Sequence, residues 1–487
     1  MIIIGGGAAG LTISRRLSPK LDASVMEKST LKKIPFFYRI PLLIGYLFKK
    51  NNIFLSTIMI DGPKKREVPF FVSRVLGGAS VINGTVHAVG SSWLWKKILN
   101  KHGYTWDDLK ESYNDIFQNQ KNSINLKKNQ PDYLDRLFFK VLNKKGIPNS
   151  DVEFADKVAS GSVTNTAGKI LRSSVKDFIN PAKVRLGYKV DHILIDGLKI
   201  VGIECNGQNY FSDNVILASG VLGSNELIKN GFKDVSTQKL VFLDAPGIGD
   251  IADHTNLRVN VKTKIDVESL NQISTKLSKK LELFCKHFLG LSTLLSGTGA
   301  TSAAHLDLDS DGNVDVRIQL LRFYESGRAG SAGTFFDSNL PGFSISITII
   351  NPKSSGSIKY SENEIRPDPQ YLTDPLDICS LKIALGFVVN MLRDEDFSKI
   401  IDEIIDIDEI VSDPDNYILK NVYSGYHLIG GLSEIVDHNF KVKGFENLYI
   451  CDASVFECYP SSNIHAPVVL LADLFAKRFL EKNFLLG

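Results

Sequence analysis

No two cysteines in this chain of 487 residues stand in C-x-x-C spacing. The five present (Cys205, Cys285, Cys379, Cys451, Cys458) are scattered and odd in number, which argues against both a zinc ligand set and a disulfide framework. Free thiols in a reducing, cytoplasmic setting are expected, and no metal site. A marked excess of either charge is missing too. A total of 57 Lys and Arg against 54 Asp and Glu leaves +3, so no nucleic-acid partner is expected. Long apolar runs are missing. The richest stretch, "IPFFYRIPLLIGYLFKK" (34–50), is interrupted by Arg39 and two prolines. Its apolar runs fall far short of the roughly 20 residues that a membrane span needs. It is expected to be buried or to dock at a surface, with no transmembrane segment. "MIII" runs directly into glycines, so no targeting segment is expected ahead of the first strand. Solenoid-period repeats and low-complexity tracts are absent as well.

What is present can build a large core: 43% of residues are hydrophobic and 23% charged, enough for two or three domains. The chemistry begins at the first residue. "MIIIGGGAAGLTISRRLS" reads as strand, glycine turn and helix start, and Gly5-Gly6-Gly7-Ala8-Ala9-Gly10 fits G-x-G-x-x-G. The first glycine allows the tight turn, the second a close pyrophosphate, the third the packing of helix on strand. The helix start then offers unpaired N–H groups to phosphates. A second strand, "ASVMEK", ends in Glu27, whose carboxylate can accept from a ribose 2′-hydroxyl and would repel a 2′-phosphate. FAD or NAD is favoured over NADP, and at this point the two stay open.

Downstream, "LGGASVINGTVHAVG" (76–90) carries paired glycines suited to a backbone pressed against a ring system. With Arg74, Leu76, Gly77, Gly78, Ser80, Asn83 and Gly84 it resembles the R-x-L-G-G-x-S-x-x-N-G segment of the glucose–methanol–choline oxidoreductase family. Further segments resemble the family in order. They are "GYTWDDLKESY" (103–113), a strand-like meander at 183–207, "NVILASGVLGSNELIKNGF" (214–232) and "APGIGDIADH" (245–254), then 341–360 and 366–377. The resemblance thus runs over nearly the whole chain. It implies FAD as cofactor, approached by Gly5, Gly7, Ala8, Ala9, Gly10, Glu27, Gly77, Gly78, Ser80, Asn83, Val190, Ala218, Ser219, Gly220, Asp452 and Ala453. Val190 would pass the adenine, and Asp452 and Ala453 would lie against the flavin. Ile82 stands where some members attach flavin through a histidine, so non-covalent FAD is expected.

Two segments near the C-terminus carry the implied chemistry. His427 in "YHLIGG" matches the family's catalytic histidine, and a neutral histidine can take a hydroxyl proton. Asn463 in "YPSSNIHAP" matches its partner. His465 is expected to be structural or cofactor-adjacent, and His254 to close a loop by a hydrogen bond. His87 is left between facing the substrate and packing at a strand end. Three departures from the family pattern stand out: Leu428 follows the histidine in place of proline, Gly431 replaces threonine, and Val89 stands where an arginine is common. The apolar spacing after Pro467 predicts a core helix. "DLDSDGNVD" lacks the glutamate of a calcium loop and reads as an acidic hairpin turn.

The expected architecture is α/β: a Rossmann-type FAD-binding domain with a second α+β substrate domain built on an antiparallel sheet. The FAD domain is expected at 1–257 and 421–487, with the substrate domain at 258–420. The implied activity is oxidation of a CH–OH donor (sugar-like or another primary or secondary alcohol), with oxygen or a quinone or other carrier as electron acceptor. A flavin lyase of the same fold, resembling a hydroxynitrile lyase or fatty-acid photodecarboxylase, is the alternative. A non-catalytic or NAD-using dinucleotide binder is a third reading.

Overall fold

Three successive isoleucines, Ile2–Ile4, form a strand buried on both sides, as strands of a covered parallel sheet are. The protein is described here from a computed structural model covering residues 1–48, 53–63, 66–119, 123–154, 156–178, 183–243, 249–325, 340–361 and 365–484. The strand is the middle of a five-stranded sheet in the order Leu448–Ile450, Val215–Leu217, Ile2–Ile4, Ser24–Glu27, Val184–Leu186. All its pairings are parallel. Helix Ala8–Leu17 packs on helix His465–Phe484, and Arg16 ties the two together through Asp473 while also meeting Asp115 at 2.7 Å. The last helix begins at His465, two residues before Pro467. Proline fits there because the first N–H groups of a helix have no internal partner.

Of the meander expected at 183–207, Val190–Asp196 and Lys199–Cys205 pair antiparallel and are continued by Gln208–Phe211, Phe232–Asp234 and Leu240–Val241, whereas Val184–Leu186 joins the parallel sheet. Over the parallel sheet's carboxyl ends stands a large antiparallel sheet. Its path runs Ile401–Ile404, Thr255–Thr263, Gly342–Ile349, Val316–Leu321, Ala300–Leu306, Ala159–Ser162, and Tyr423–Ser424 also pairs with Thr255–Thr263. The sequence "GFSISITI" shows why it forms. Phe343, Ile345, Ile347 and Ile349 alternate with Ser344, Ser346 and Thr348, so period two sends one set to the core and the other to the opposite face. Helix Pro375–Leu392 packs on this strand through a side that includes Leu381, Leu385 and Val388. It is the one helix among the described residues that is apolar and long enough to cross a membrane. One side of it packs in the core, and Leu376 and Ile383 on the other are exposed.

Strands of the large sheet lie outside or across the expected domain bounds. Strand Thr255–Thr263 crosses residue 257, and Ala159–Ser162 joins the far edge of the large sheet. Strand pairing carries these residues into the second layer, since a ladder cannot be cut in mid-strand. The acidic stretch at 306–315 joins two antiparallel strands. Asp307, Asp309 and Asp315 come within 4.8 Å of one another there, and Asp307 and Asp315 accept from backbone N–H groups of the turn.

Candidate active site

A cavity of about 1600 Å³ runs from the tips of the parallel strands to the face of the antiparallel sheet. Its first half is backbone-rich. Gly5 (φ +108°) turns so tightly that a Cβ would lie 2.5 Å from the Ala218 carbonyl oxygen, and Gly7, Ala8 and Ala9 line the wall at the helix start. Glu27 also lines it. One of its carboxylate oxygens accepts from the Gly6 N–H at 2.6 Å and the other from the Ser29 N–H at 2.7 Å. Each oxygen keeps a lone pair for a further donor. Gly78, Ser80, Asn83, Val190, Ala218, Ser219, Gly220, Asp452 and Ala453 complete this half. Asp452 accepts from Gly220 N–H at 2.8 Å and from the Ser224 hydroxyl at 2.6 Å, joining two strand tips. Gly10 and Gly77 differ from expectation: neither is on the wall. A Cβ on Gly10 would sit 1.9 Å from the Gly5 carbonyl oxygen, and Gly77 donates its N–H to the Gly6 carbonyl at 2.8 Å. Both shape the wall from behind. Of the segment 245–254, residues 245–248 lie outside the described residues.

The second half holds His427 and Asn463, brought to 3.3 Å (Nε2 to Nδ2) across 36 residues of chain. His427 is placed by the buried Asp253. That carboxylate accepts from the His427 N–H at 2.8 Å and from the hydroxyls of Ser424 and Tyr371. Burial pushes Asp253 above the usual carboxylate range. Between these anchors the chain turns sharply. Tyr426 takes φ +61°, and a side chain on Gly425 would strike the His254 Cβ at 2.6 Å.

The ring hydrogens of this site are fixed by an acceptor that cannot donate. His254 Nε2 lies 2.8 Å from the Ile350 carbonyl oxygen, so Nε2 carries the hydrogen. Burial and the neighbouring His427 hold His254 well below its ordinary pKa, so it is neutral and its Nδ1 is a lone pair. His427 Nδ1, 2.9 Å away, must therefore donate. That leaves His427 Nε2 as the acceptor facing Asn463 and the cavity. The amide is fixed in turn, because Arg317 donates to Asn463 Oδ1 at 3.1 Å and to the Ser462 hydroxyl at 2.7 Å. Burial first, and the Arg317 charge second, lower His427 to about 4. Tyr459 completes the support. Its ring stacks on His254 at 3.8 Å, and its hydroxyl donates to the His427 carbonyl at 3.0 Å.

Sequence reasoning missed Arg317 altogether and gave His254 too small a part. A buried arginine in "VDVRIQLL" looks like an outward strand position; no local signal marks it. His254 does hydrogen-bond across its loop, but to the histidine ring itself. His465 lines the cavity, neither ring nitrogen has a hydrogen-bond partner among the described residues, and burial and Arg172 lower it to about 4. His87 is packed against Phe117 and Tyr113 away from the cavity wall. Ile82 lines the cavity.

A glycine-turn nucleotide cradle on a parallel sheet, opening onto a histidine–asparagine pair beneath an antiparallel sheet, defines a two-layer FAD-dependent oxidoreductase. The chain belongs to the GMC oxidoreductase family: the family's N-terminal model matches residues 1–250 and its C-terminal model 352–472. It is similar to an oxygen-dependent choline dehydrogenase of Staphylococcus aureus, 24% identical over 97% of this chain and 91% of that protein. Among solved structures it resembles pyridoxine 4-oxidase of Mesorbium loti, with TM-score 0.81 at 18% identity over 99% of both chains. A formate oxidase superposes with TM-score 0.87 at 16% identity, covering 100% of this chain and 98% of that one. These two share the fold.

Proposed function

We propose that the protein oxidises the CH–OH group of an alcohol whose body is largely apolar. The observation that carries this reading is the fixed lone pair of His427 Nε2, facing the cavity beside Asn463 Nδ2. The cradle built by Gly5, Gly7, Ala8, Glu27, Gly78, Ser80, Ala218 and Asp452 holds FAD, which when bound supplies the two-electron acceptor. The absence of side chains at the glycine turn, with the helix start behind it, suits a pyrophosphate.

The residues divide the work as follows. An alcohol hydroxyl seated between His427 Nε2 and Asn463 Nδ2 passes its proton to Nε2. The hydroxyl takes the place of the Asn463 N–H at the single Nε2 lone pair, and the Nδ2 hydrogen so freed is directed to the alcohol oxygen as negative charge develops there. His427, now charged, keeps donating from Nδ1 to the neutral His254, and Arg317 keeps Asn463 from flipping. Arg317 disfavours a lasting charge on His427, so the base returns to its neutral form between turnovers. Beyond the pair, Phe70, Phe71, Leu43, Leu295 and Leu321 line the chamber, with Gln319, Ser346, Asn256, Tyr423 and the Arg258–Glu325 ion pair as its polar groups. Such walls favour an apolar substrate body with one or two hydrogen-bonding groups.

FAD is held without a covalent bond in this reading, since Ile82 offers no nucleophile. The relatives named as oxygen-dependent or oxidases support oxygen as electron acceptor, with a quinone or other carrier as the other acceptor class. Five free cysteines fit a reducing, cytoplasmic setting. The test is the visible spectrum of the flavin-loaded protein during anaerobic addition of alcohols graded in chain length. Bleaching by medium or long apolar alcohols is expected. A flavin band unchanged by every alcohol, together with turnover in the absence of any electron acceptor, would replace oxidation by lyase chemistry.

A further inference from the structure

The cavity's outer rim is made by two segments that are distant in sequence. Phe37 and Tyr38 of the segment around Phe36–Arg39 and Lys280 and Phe284 of helix Leu277–Phe288 all line it. The two segments pack together through Ile40, Leu283 and Leu294. Outside that seam both turn apolar side chains to solvent. Phe36, Phe37, Leu277, Leu281 and Leu289 are between 51 and 79% exposed. Leu277, Leu281 and Phe288 recur at helical spacing, so they form a stripe along one side of the helix while Leu283 and His287 occupy the buried side. Phe288 and Phe284 stack at 6.3 Å.

Charge is concentrated on the same segments. Residues 28–48 and 276–291 contain eight lysines and arginines and a single acidic residue, Glu282, although the whole chain carries only +3. The remainder of the molecule is therefore net negative. An apolar stripe beside lysines is the composition of a helix lying in the interface of an anionic bilayer. A protein partner would not by itself account for the position of the patch around the mouth of a chamber with apolar walls.

We propose that this rim docks the protein on the surface of an anionic phospholipid bilayer, with the cavity mouth toward the lipid. The two segments meet the bilayer in the manner of an interfacial anchor, without spanning it. Docking in this orientation lets an apolar alcohol pass from the bilayer into the chamber; that consequence, though not the docking itself, rests on the function proposed above.

The experiment is co-sedimentation of the flavin-loaded full chain with phosphatidylglycerol-containing vesicles and with phosphatidylcholine vesicles at low and high salt. Binding to the anionic vesicles about 10-fold tighter or more, weakened by salt, is expected from the basic rim. The double variant Leu277→Glu/Leu281→Glu and the separate variant Phe36→Asp should each lose at least about 10-fold of that binding. Both should retain flavin and reduction by a water-soluble alcohol, since none of these three residues lines the cavity. Equal binding to both vesicle types, no binding at all, or undiminished binding of both variants would overturn the proposal. So would a dimer in sedimentation velocity that the double variant dissociates, which would give the patch to a second copy of the chain. Vesicle binding reads no chemistry, so its failure leaves the proposed oxidation standing, and the reverse holds as well.

Discussion

His254 and His427 face each other through the same kind of atom, Nδ1 to Nδ1 at 2.9 Å. Two such nitrogens can share only one hydrogen, and the Ile350 carbonyl decides which ring supplies it. His254 thus sets the tautomer of His427 without itself lining the cavity.

Replacing His254 with leucine should cost about 10²-fold in the rate of flavin reduction, near the low end for acid–base contributions. The side-chain oxygen of His254→Asn lies near the position of the lost Nδ1 and can accept from His427, so part of the rate should return. Stopped-flow reduction at matched flavin content checks this. Equal rates for the two variants would reduce His254 to a packing residue.

His427→Ala should slow reduction by roughly 10²–10⁴-fold while leaving the flavin spectrum of the resting protein intact. Anaerobic stopped-flow traces at saturating alcohol are the measurement. Unchanged traces would remove His427 from the reaction.

The acid limb of kcat/KM should fall near pH 4, where His427 takes up a proton. Its folded pKa is depressed, so the neutral base persists above that pH and is lost below it. Arg317→Met removes the second cause of the depression but not burial, the first. The limb should move upward yet stay below the ordinary value of about 6.5. A pH–rate profile unmoved by the substitution would separate Arg317 from the base.

Gly7 and Gly5 should fail in different ways. Nothing lies within 4 Å of a Cβ built on Gly7, so Gly7→Ala should fold with unchanged apo-protein Tm and lower flavin occupancy. Gly5→Ala forces a side chain onto φ +108° and into the Ala218 carbonyl, a backbone strain of about 1–3 kcal/mol before the clash is added. Its Tm should drop along with its flavin content. Thermal melts with and without FAD read both effects.

Acid precipitation should release the flavin into the supernatant, because Ile82 has no atom to bond it. Flavin colour in the pellet would contradict the non-covalent reading.

The parts of this molecule legible in its sequence are those set by local backbone demands. The turn at Gly5 and the acid at Glu27 announce themselves because the conformation and the spacing occur within one strand–helix–strand run. Alternation in "GFSISITI" does the same for a strand with two unlike faces. His427 and Asn463 were reached through family resemblance; nothing in their immediate neighbours distinguishes them from loop residues. Arg317 was not legible, because its partner lies 146 residues away and only sheet register brings the two together. His254 illustrates the same limit over 173 residues. The expected domain bound at 257 falls inside strand Thr255–Thr263, because strand pairing, not composition, decides which layer a residue joins.

Order in the parallel sheet has a consequence for biosynthesis. Its middle strand Ile2–Ile4 and the neighbouring Ser24–Glu27 come from the beginning of the chain, while the edge strand Leu448–Ile450 and the Asp452 clasp on Gly220 come from near the end. A nascent chain leaving the ribosome displays the glycine turn hundreds of residues before the far wall of its cradle exists. The complete cradle accordingly exists only once the last strand has joined the sheet.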